Sequence, residues 1–300
     1  MRVLITGGAG FIGSRIALEL QKTHDIRIVD DFSSGNFKNL YGFEGEVVCA
    51  DVSQRDFWEN CDDFDAIIHM ASITDTTITD QNLVMTKNCT GFYWLLEYIK
   101  RNRARLVYAS SAAVYGNTQI PMVENRGLKP ENIYGFSKLC MDRLALNAIK
   151  EGLSIAGLRY FNVYGYGEEF KGKSASMILQ LYKQIKEGKK PKLFKFGEQR
   201  RDFIYIKDAV RASILCLNSE ISGIFNVGSG VSRSFNEIVE IISRNLGKTT
   251  EIEYIDCPYE FYQKHTLADI TKIKETFGFH PEFSLEEGIK DYISLIESNP

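Results

Sequence analysis

The chain has 300 residues, of which 44% are hydrophobic, and its formal net charge is −3. This length fits one large α/β domain or two smaller ones, and this hydrophobic content can fill a sizeable core. The charge excludes bulk attraction to nucleic acid, and no apolar run approaches the ~20 residues that a membrane helix needs.

The cysteines and the first residues indicate the compartment. The six cysteines are scattered without close pairing, which fits a reducing cytosol and argues against a zinc site. The chain starts directly in a strand-like run, so we expect no signal peptide. The sequence therefore predicts a cytoplasmic protein with no metal, no membrane partner and no nucleic-acid partner.

The first predicted elements are a strand over Arg2–Thr6, a glycine-rich turn over residues 7–13 and a helix from Ser14 to Gln21. Strand, glycine turn and helix in this order are the context in which such glycines bind a dinucleotide. The glycines let the backbone approach the pyrophosphate, whose charge then lies at a helix N-terminus. The predicted cofactor contacts in this turn are Gly7, Gly10, Phe11, Ile12 and Gly13.

A second predicted strand, Ile26–Val29, ends in Asp30 and Asp31. Asp30 lies about twenty residues beyond the glycines, where a carboxylate would hold the adenosine ribose hydroxyls. Both acids would repel a 2′-phosphate, which favours NAD over NADP. Lys38 or Arg55 could lie near such a phosphate, so NADP stays open as the alternative.

Further strand-like runs lie at residues 47–49, 66–69, 106–109 and 155–159, and helical patterns separate them, notably from Phe92 to Lys100 and from Ser137 to Ile149. This alternation predicts an α/β fold with a Rossmann-type, doubly wound parallel sheet. Ligands then bind outside the carboxyl ends of the strands. His69 at such an end is interpreted as a packed histidine rather than a catalyst. The candidate ligand contacts that follow strands are Asp51, Met70, Ala71, Ser72, Ser111 and Asn162.

Tyr134 and Lys138 stand four residues apart in a predicted helix. This spacing puts a phenol and an ammonium on one helix face. A nearby cation favours the phenolate, so Lys138 is expected to lower a tyrosine pKa that starts near ~10. The pair alone is weak evidence, because exposed helices often carry such neighbours.

The stretch from Ser110 to Gly116, followed by Tyr134 and Lys138, resembles the extended short-chain dehydrogenase/reductase family of nucleotide-sugar enzymes. Residues 159–165 and 201–208 share this resemblance. It implies that Ser111 hydrogen-bonds the reacting oxygen and that Tyr134 exchanges its proton. It also implies that Lys138 binds the nicotinamide ribose, that Asn88 and Val163 contact the cofactor, and that the protein is a homo-oligomer.

The residues after Ser111 limit the set of reactions that the site could catalyse. Family members that dehydrate sugars usually carry an acid and a base there, because elimination of water needs both. Ala112 and Ala113 can supply neither. Dehydration is therefore disfavoured, which leaves epimerisation, oxidation or reduction.

Residues 168–176, 191–194, 222–228 and 261–265 resemble the ADP-L-glycero-D-manno-heptose 6-epimerases. That resemblance implies inversion of C6 of ADP-D-glycero-D-manno-heptose in lipopolysaccharide biosynthesis, with Lys171 as a second acid/base, and it raises the prospect of NADP. The alternatives are a UDP- or GDP-hexose 4-epimerase and, remotely, a non-catalytic cofactor-binding sensor. Tyr166 and Gly167, Lys173 and Gln180 depart from the residues usual in that family.

From Lys171 to Arg201 the chain carries ten lysines or arginines and two acids. This segment is either a solvated basic face or a cradle for a nucleotide diphosphate. Lys171 itself is either a base or a phosphate contact. The predicted substrate contacts are Ser111, Asn162, Lys173, Gln180, Phe194, Arg201 and Tyr262.

Two domains are predicted, and the smaller one is a discontinuous α/β substrate domain. Residues 1–162, 202–230 and 264–278 would bind the dinucleotide. Residues 163–201, 231–263 and 279–300 would bind the nucleotide sugar. The return from Phe203 to Gly228 is expected to add a strand to the cofactor domain.

Overall fold

The computed structural model describes residues 1–258 and 263–298. Within them the strands are β1 Arg2–Thr6, β2 Asp25–Asp30, β3 Glu46–Cys49, β4 Ala66–His69, β5 Arg105–Ser111, β6 Ile155–Tyr160, β7 Asn162–Tyr164, β8 Lys192–Phe194, β9 Arg200–Tyr205, β10 Gly223–Val227, β11 Ser232–Ser234 and β12 Glu253–Ile255. The helices are α1 Phe11–Leu20, α2 Arg55–Glu59, α3 Gln81–Met85, α4 Gly91–Asn102, α5 Ile133–Lys150, α6 Met177–Lys186, α7 Ile206–Leu217, α8 Phe235–Leu246, α9 Thr271–Phe277 and α10 Leu285–Ser298.

The central sheet has seven strands in the order β10-β6-β5-β4-β1-β2-β3. Every neighbouring pair in it is parallel. The six strands predicted between residues 2 and 159 all form, and the strand expected from the return after Phe203 is β10. The predicted doubly wound α/β fold is therefore confirmed. The strand order reverses between β1 and β4, which is where such sheets bind nucleotides.

Both faces of this sheet are covered, which explains why its strands read as continuous apolar runs. Ile5 of β1 packs into a core that holds residues of α1 and α7, including Ala17 and Ala209. The adjacent Leu4 faces the opposite side, where residues of α4 and α5, including Phe92, form a second core. Adjacent residues of one strand thus pack against helices on opposite faces of the sheet.

Two small sheets lie outside the central one. β9 pairs with β7 in parallel and with β11 in antiparallel orientation, and β12 pairs with β8 in parallel. The strands β7, β8, β11 and β12 escaped prediction because three residues are too few to show a period. The predicted boundaries at residues 162/163 and 201/202 fall inside β7 and β9.

Helix α8 begins with a reciprocal cap. The Ser234 hydroxyl accepts a hydrogen bond from the Glu237 backbone N–H at 3.2 Å, and the Glu237 carboxylate accepts one from the Ser234 N–H at 2.7 Å. Replacing Ser234 with Ala should lower the free energy of unfolding by about 1 kcal/mol, because a helix N–H loses its partner. Urea denaturation measures this. Ser234→Thr keeps a hydroxyl and should retain most of the stability, and equal losses in both variants would contradict the capping explanation.

Among the described residues, no helix combines the length and the apolar character that crossing a bilayer requires.

Candidate active site

The glycine turn touches the loop that follows β4. Gly7 has a φ of +66°, and a Cβ there would lie 2.5 Å from the Ala71 backbone nitrogen. Only glycine fits, because both the backbone angle and the space exclude a side chain. Helix α1 begins at Phe11 with Gly10 as its N-cap, so its first N–H groups face this turn. Gly7 thus adjoins Met70 and Ala71, and the turn with the helix N-terminus after it fits a dinucleotide pyrophosphate. Gly10, Phe11, Ile12 and Gly13 follow in this turn and the start of α1, and Ser72 follows Ala71 in the loop.

Asp30 lies beside the glycine turn at the end of β2. It is 7% exposed, and its two oxygens accept hydrogen bonds from the Ala9 and Phe32 N–H groups at 2.9 and 2.8 Å. Burial raises the pKa of this carboxyl, and the two backbone bonds partly offset the increase. Asp31 accepts hydrogen bonds from the Ser33 backbone and hydroxyl. Asp30 therefore organises the turn, in addition to its predicted contact with ribose.

Lys87 is an unpredicted cation at this end of the site. Its Nζ lies 2.6 Å from an Asp51 oxygen and 3.9 Å from an Asp31 oxygen. Burial disfavours ionisation of Asp51, but the bonds from Lys87 and Ser53 outweigh it, so its pKa lies well below the usual range. No sequence pattern reveals Lys87, because 36 residues separate it from Asp51.

The two cations considered for a 2′-phosphate have other partners. Lys38 lies with its Nζ 5.7 Å from the ring centre of Phe170. Arg55 pairs with Glu59 at 2.7 Å and packs on Trp94. Both contacts place these side chains against protein groups other than the two acids at the end of β2.

Asn88 connects the loop after β4 to helix α5. Its side chain is fully buried, exchanges hydrogen bonds with the Ile73 backbone at 2.9 and 3.1 Å, and donates to the Ser137 hydroxyl at 2.9 Å. It therefore fixes the loop after β4, where the cofactor was predicted to bind. Val163 lies half-buried in β7.

Tyr134, Ser111 and Lys138 come together where α5 packs on the end of β5. The Ser111 hydroxyl lies near the Tyr134 phenol and acts to lower its pKa. Lys138 is 1% exposed, its ammonium donates to the Ala109 carbonyl at 2.8 Å, and its Nζ lies 5.9 Å from the Tyr134 ring centre. The i, i+4 spacing on one helix face places Tyr134 and Lys138 side by side as predicted.

The expected decrease in the Tyr134 pKa is wrong for the protein's own groups. Burial raises the pKa of the Tyr134 phenol, and the Ser111 hydroxyl offsets this only partly. Burial also lowers the pKa of Lys138 to about 8, which Asp142 and Cys89 oppose. Burial penalises both charged forms, so a spacing argument that counts only the cation reaches the opposite sign.

Lys171 lies in a 3-10 turn, Glu169–Ser174, that packs against the start of α1. Its Nζ is 5.5 Å from the ring centre of Phe11. Burial lowers its pKa, and Glu168 opposes this. The described contacts of Lys171 are thus at the glycine turn rather than with Tyr134, while Lys173 is exposed.

Glu168 fixes the ends of the Lys171 segment. It is fully buried and accepts hydrogen bonds from the Gly165 N–H at 3.2 Å and from the Ser176 N–H and hydroxyl at 2.6 and 2.8 Å. Gln180 donates to the Ala175 carbonyl at 2.8 Å. Glu168 therefore joins the two ends of the segment between residues 165 and 176.

Asn162 and Arg201 stand on the neighbouring strands β7 and β9. The Asn162 amide donates to the Asp202 carbonyl at 3.0 Å, and the 7% exposed Arg201 lies 5.7 Å from the Phe235 ring centre. Phe194 ends β8. Tyr262 lies outside the described residues.

Asp202, which sequence reasoning missed, joins three chain segments behind Arg201. Its carboxylate accepts hydrogen bonds from the backbone of Ser229, Gly230 and Ala268 at 2.6 to 3.0 Å. The only sequence signal was its place beside Arg201 in the stretch 201–208. His69 is packed as expected, 5.7 Å from the Phe92 ring, and burial lowers its pKa to about 3.

A family model and several solved structures match this chain over most or all of its length. The NAD dependent epimerase/dehydratase family matches residues 3–228. The ADP-L-glycero-D-manno-heptose-6-epimerase of Helicobacter pylori is 43% identical, with a TM-score of 0.92 over 99% of this chain and 96% of that one. The UDP-N-acetylglucosamine 4-epimerase of Methanobrevibacter ruminantium is 31% identical, with a TM-score of 0.93 over 100% and 99%. The UDP-glucuronic acid 4-epimerase of Bacillus cereus, solved with UDP-glucuronic acid and NAD, is 26% identical, with a TM-score of 0.88 over 99% and 100%.

Proposed function

Since the chain belongs to the NAD dependent epimerase/dehydratase family, we propose that it inverts C6 of ADP-D-glycero-D-manno-heptose. The observation that carries this proposal is the meeting of Tyr134, Ser111 and Lys138 where α5 packs on the end of β5. The substrate follows from the 43% identity with a heptose 6-epimerase over nearly the whole of both chains. Ala112 and Ala113, which follow Ser111 in a 3-10 turn, offer no acid or base for dehydration.

NAD, held by the glycine turn and Asp30, would supply a hydride acceptor that is restored within each turnover, so no net oxidation would take place. Tyr134 takes the proton of the C6 hydroxyl, and Ser111 holds the same oxygen by a hydrogen bond. Lys138 binds the nicotinamide ribose. After the intermediate 6-ketone turns, its oxygen lies elsewhere and needs a second proton donor. Lys171, whose pKa burial lowers, is our candidate for that donor.

The acids near the adenosine end support NAD as the cofactor. Asp30 is held against the glycine turn, and Asp31 and Asp51 face Lys87. A 2′-phosphate would meet these carboxylates, whereas a 2′-hydroxyl can donate to one of them. The complex of the Bacillus cereus relative with NAD agrees with this choice. The proposed cofactor contacts are those of the glycine turn together with Asp30, Asp31, Lys38, Asp51, Met70, Ala71, Ser72, Asn88, Lys138 and Val163.

The nucleotide sugar would bind the smaller part of the chain, residues 163–201, 231–263 and 279–300. Arg201 stands beside Asn162 on the small sheet and is our candidate for a pyrophosphate contact. Lys173, Gln180 and Phe194, with Tyr262 beyond the described residues, would complete the contacts. We further propose a cytoplasmic homo-oligomer.

The test is to incubate the purified protein with ADP-D-glycero-D-manno-heptose in D₂O and to follow C6 by NMR. We expect the L-glycero epimer to form without deuterium at C6, because the hydride returns from the cofactor. Denaturing the same preparation should release NAD, and recovery of NADP alone would refute that choice. Inversion of UDP- or GDP-hexoses at C4 in place of the heptose would favour the 4-epimerase reading. No turnover of any of these sugars would favour the non-catalytic sensor.

A further inference from the structure

A buried ionic cluster lies one helical turn beyond Lys138. Asp142 is fully buried, and its two oxygens pair with Arg159 at 2.8 Å and accept the Tyr108 hydroxyl at 2.8 Å. Arg159, which is 1% exposed, also donates to the Tyr115 hydroxyl at 2.9 Å. These residues come from β5, β6 and α5 and from the turn after β5, so the cluster lies between the sheet and the helix that holds Tyr134.

Lys138 has few ways to stabilise its charge. It is 1% exposed, and its described hydrogen bond is to the neutral Ala109 carbonyl. A buried ammonium with one neutral acceptor tends to lose its proton. Asp142 stands four residues further along the same helix, where side chains share a face, and it interacts electrostatically with Lys138.

We propose that Asp142 is a positioning residue whose buried negative charge keeps Lys138 in its ammonium form, an inference that rests on the role proposed for Lys138 in epimerisation. The alternative is that Asp142 serves only as the structural partner of Arg159. The two readings differ in what happens to the protonation of Lys138 when Asp142 loses its charge but keeps its shape.

The other groups around Lys138 cannot replace this charge. His69 at the end of β4 is neutral, since burial lowers its pKa to about 3. Cys89 in the turn before α4 is a neutral thiol, since burial raises its pKa to about 12. Burial likewise raises the pKa of Tyr134. Among the described groups that interact with Lys138, Asp142 is thus the carboxylate, and Arg159 pairs with the same group at 2.8 Å.

The charges beside Lys138 determine the direction in which its pKa moves in each variant. With the Lys138 pKa at about 8, the ammonium dominates below that pH, and activity that needs it falls as the pH rises through this value. In Asp142→Asn the attraction is lost, so both the Lys138 pKa and the alkaline limb of the kcat profile should move down by about one pH unit or more. In Arg159→Gln the competing cation is lost, so both should move up.

The experiment measures Lys138 itself and turnover in parallel, on the full chain with its bound dinucleotide. The ¹³Cε resonance of Lys138, identified by its loss in Lys138→Arg, is titrated in the wild type and in each variant. Tyr108→Phe is the matched control, because it removes a hydrogen bond to the same carboxylate and leaves the charge. It should leave the titration of Lys138 within a few tenths of a pH unit of the wild type.

Opposite shifts in Asp142→Asn and Arg159→Gln, with none in Tyr108→Phe, would support the proposal. An unchanged titration in Asp142→Asn, or an equal shift in the control, would overturn it. If Asp142→Asn does not fold, the upward shift in Arg159→Gln decides, and its absence refutes the proposal. Failure of the wild type to epimerise would refute the proposed function and leave the resonance titration to judge Asp142 separately.

Discussion

Replacing Tyr134 with Phe is expected to lower kcat by a factor of about 10² to 10⁴. The phenol is the group proposed to take up and return the C6 proton, and phenylalanine keeps the ring while removing that function. In the free protein the phenol lies near Ser111, and phenylalanine keeps the packing of the ring. The fold and the amount of bound dinucleotide should therefore stay at wild-type levels.

The measurement is turnover of ADP-heptose, with circular dichroism and the content of released dinucleotide as checks. Tyr93→Phe is a suitable control, because Tyr93 lies on α4 and is 44% exposed, so removal of its hydroxyl should leave kcat unchanged. Full activity in Tyr134→Phe would remove Tyr134 from the proposed mechanism.

Replacing Lys171 with Met should reduce epimerisation about 100-fold or more. Its effect on the first hydride transfer should be smaller, because Tyr134 serves that step. Burial already lowers the pKa of Lys171, which suits a group that gives and takes a proton near neutral pH. Reduction of the bound dinucleotide in a single turnover, followed by its fluorescence, separates this step from the complete inversion.

Retention of kcat in Lys171→Met would also be informative, because of where Lys171 lies. Its Nζ lies 5.5 Å from the Phe11 ring, beside the turn proposed to bind a pyrophosphate. If Lys171 contacts phosphate instead, Lys171→Met should raise KM or weaken dinucleotide binding while kcat is retained. Lys183→Met removes the same charge from an exposed position on α6 and should change neither quantity.

The central sheet could be predicted from sequence because its strands are local apolar runs separated by helical patterns. Arg2–Thr6, the glycine turn and Asp30 could be placed in one site by chain order alone. Tyr134 and Lys138 could be paired because a single helix relates them. In each case the information lies within about twenty residues of the chain, where spacing determines geometry.

Contacts between distant segments were not accessible in this way. Asp202 and Ser229 are 27 residues apart, and Lys87 and Asp51 are 36 apart. Such pairs form only when strands and helices stack, and no period in the sequence marks them. The predicted decrease in the Tyr134 pKa was wrong for a related reason. Burial raises this pKa, and burial is a property of the folded chain that no spacing in the sequence shows.

The carboxylate of Glu168 has a further consequence. It accepts hydrogen bonds from the Gly165 and Ser176 N–H groups. The two ends of this stretch therefore stay joined as long as Glu168 is kept. We therefore expect the other residues of this stretch, such as Lys173, to tolerate exchange without disturbing the central sheet. Grafting residues 172–175 from a relative, with Glu168 and Lys171 retained, should then change the preference for one sugar over another while the free energy of unfolding stays at its wild-type value.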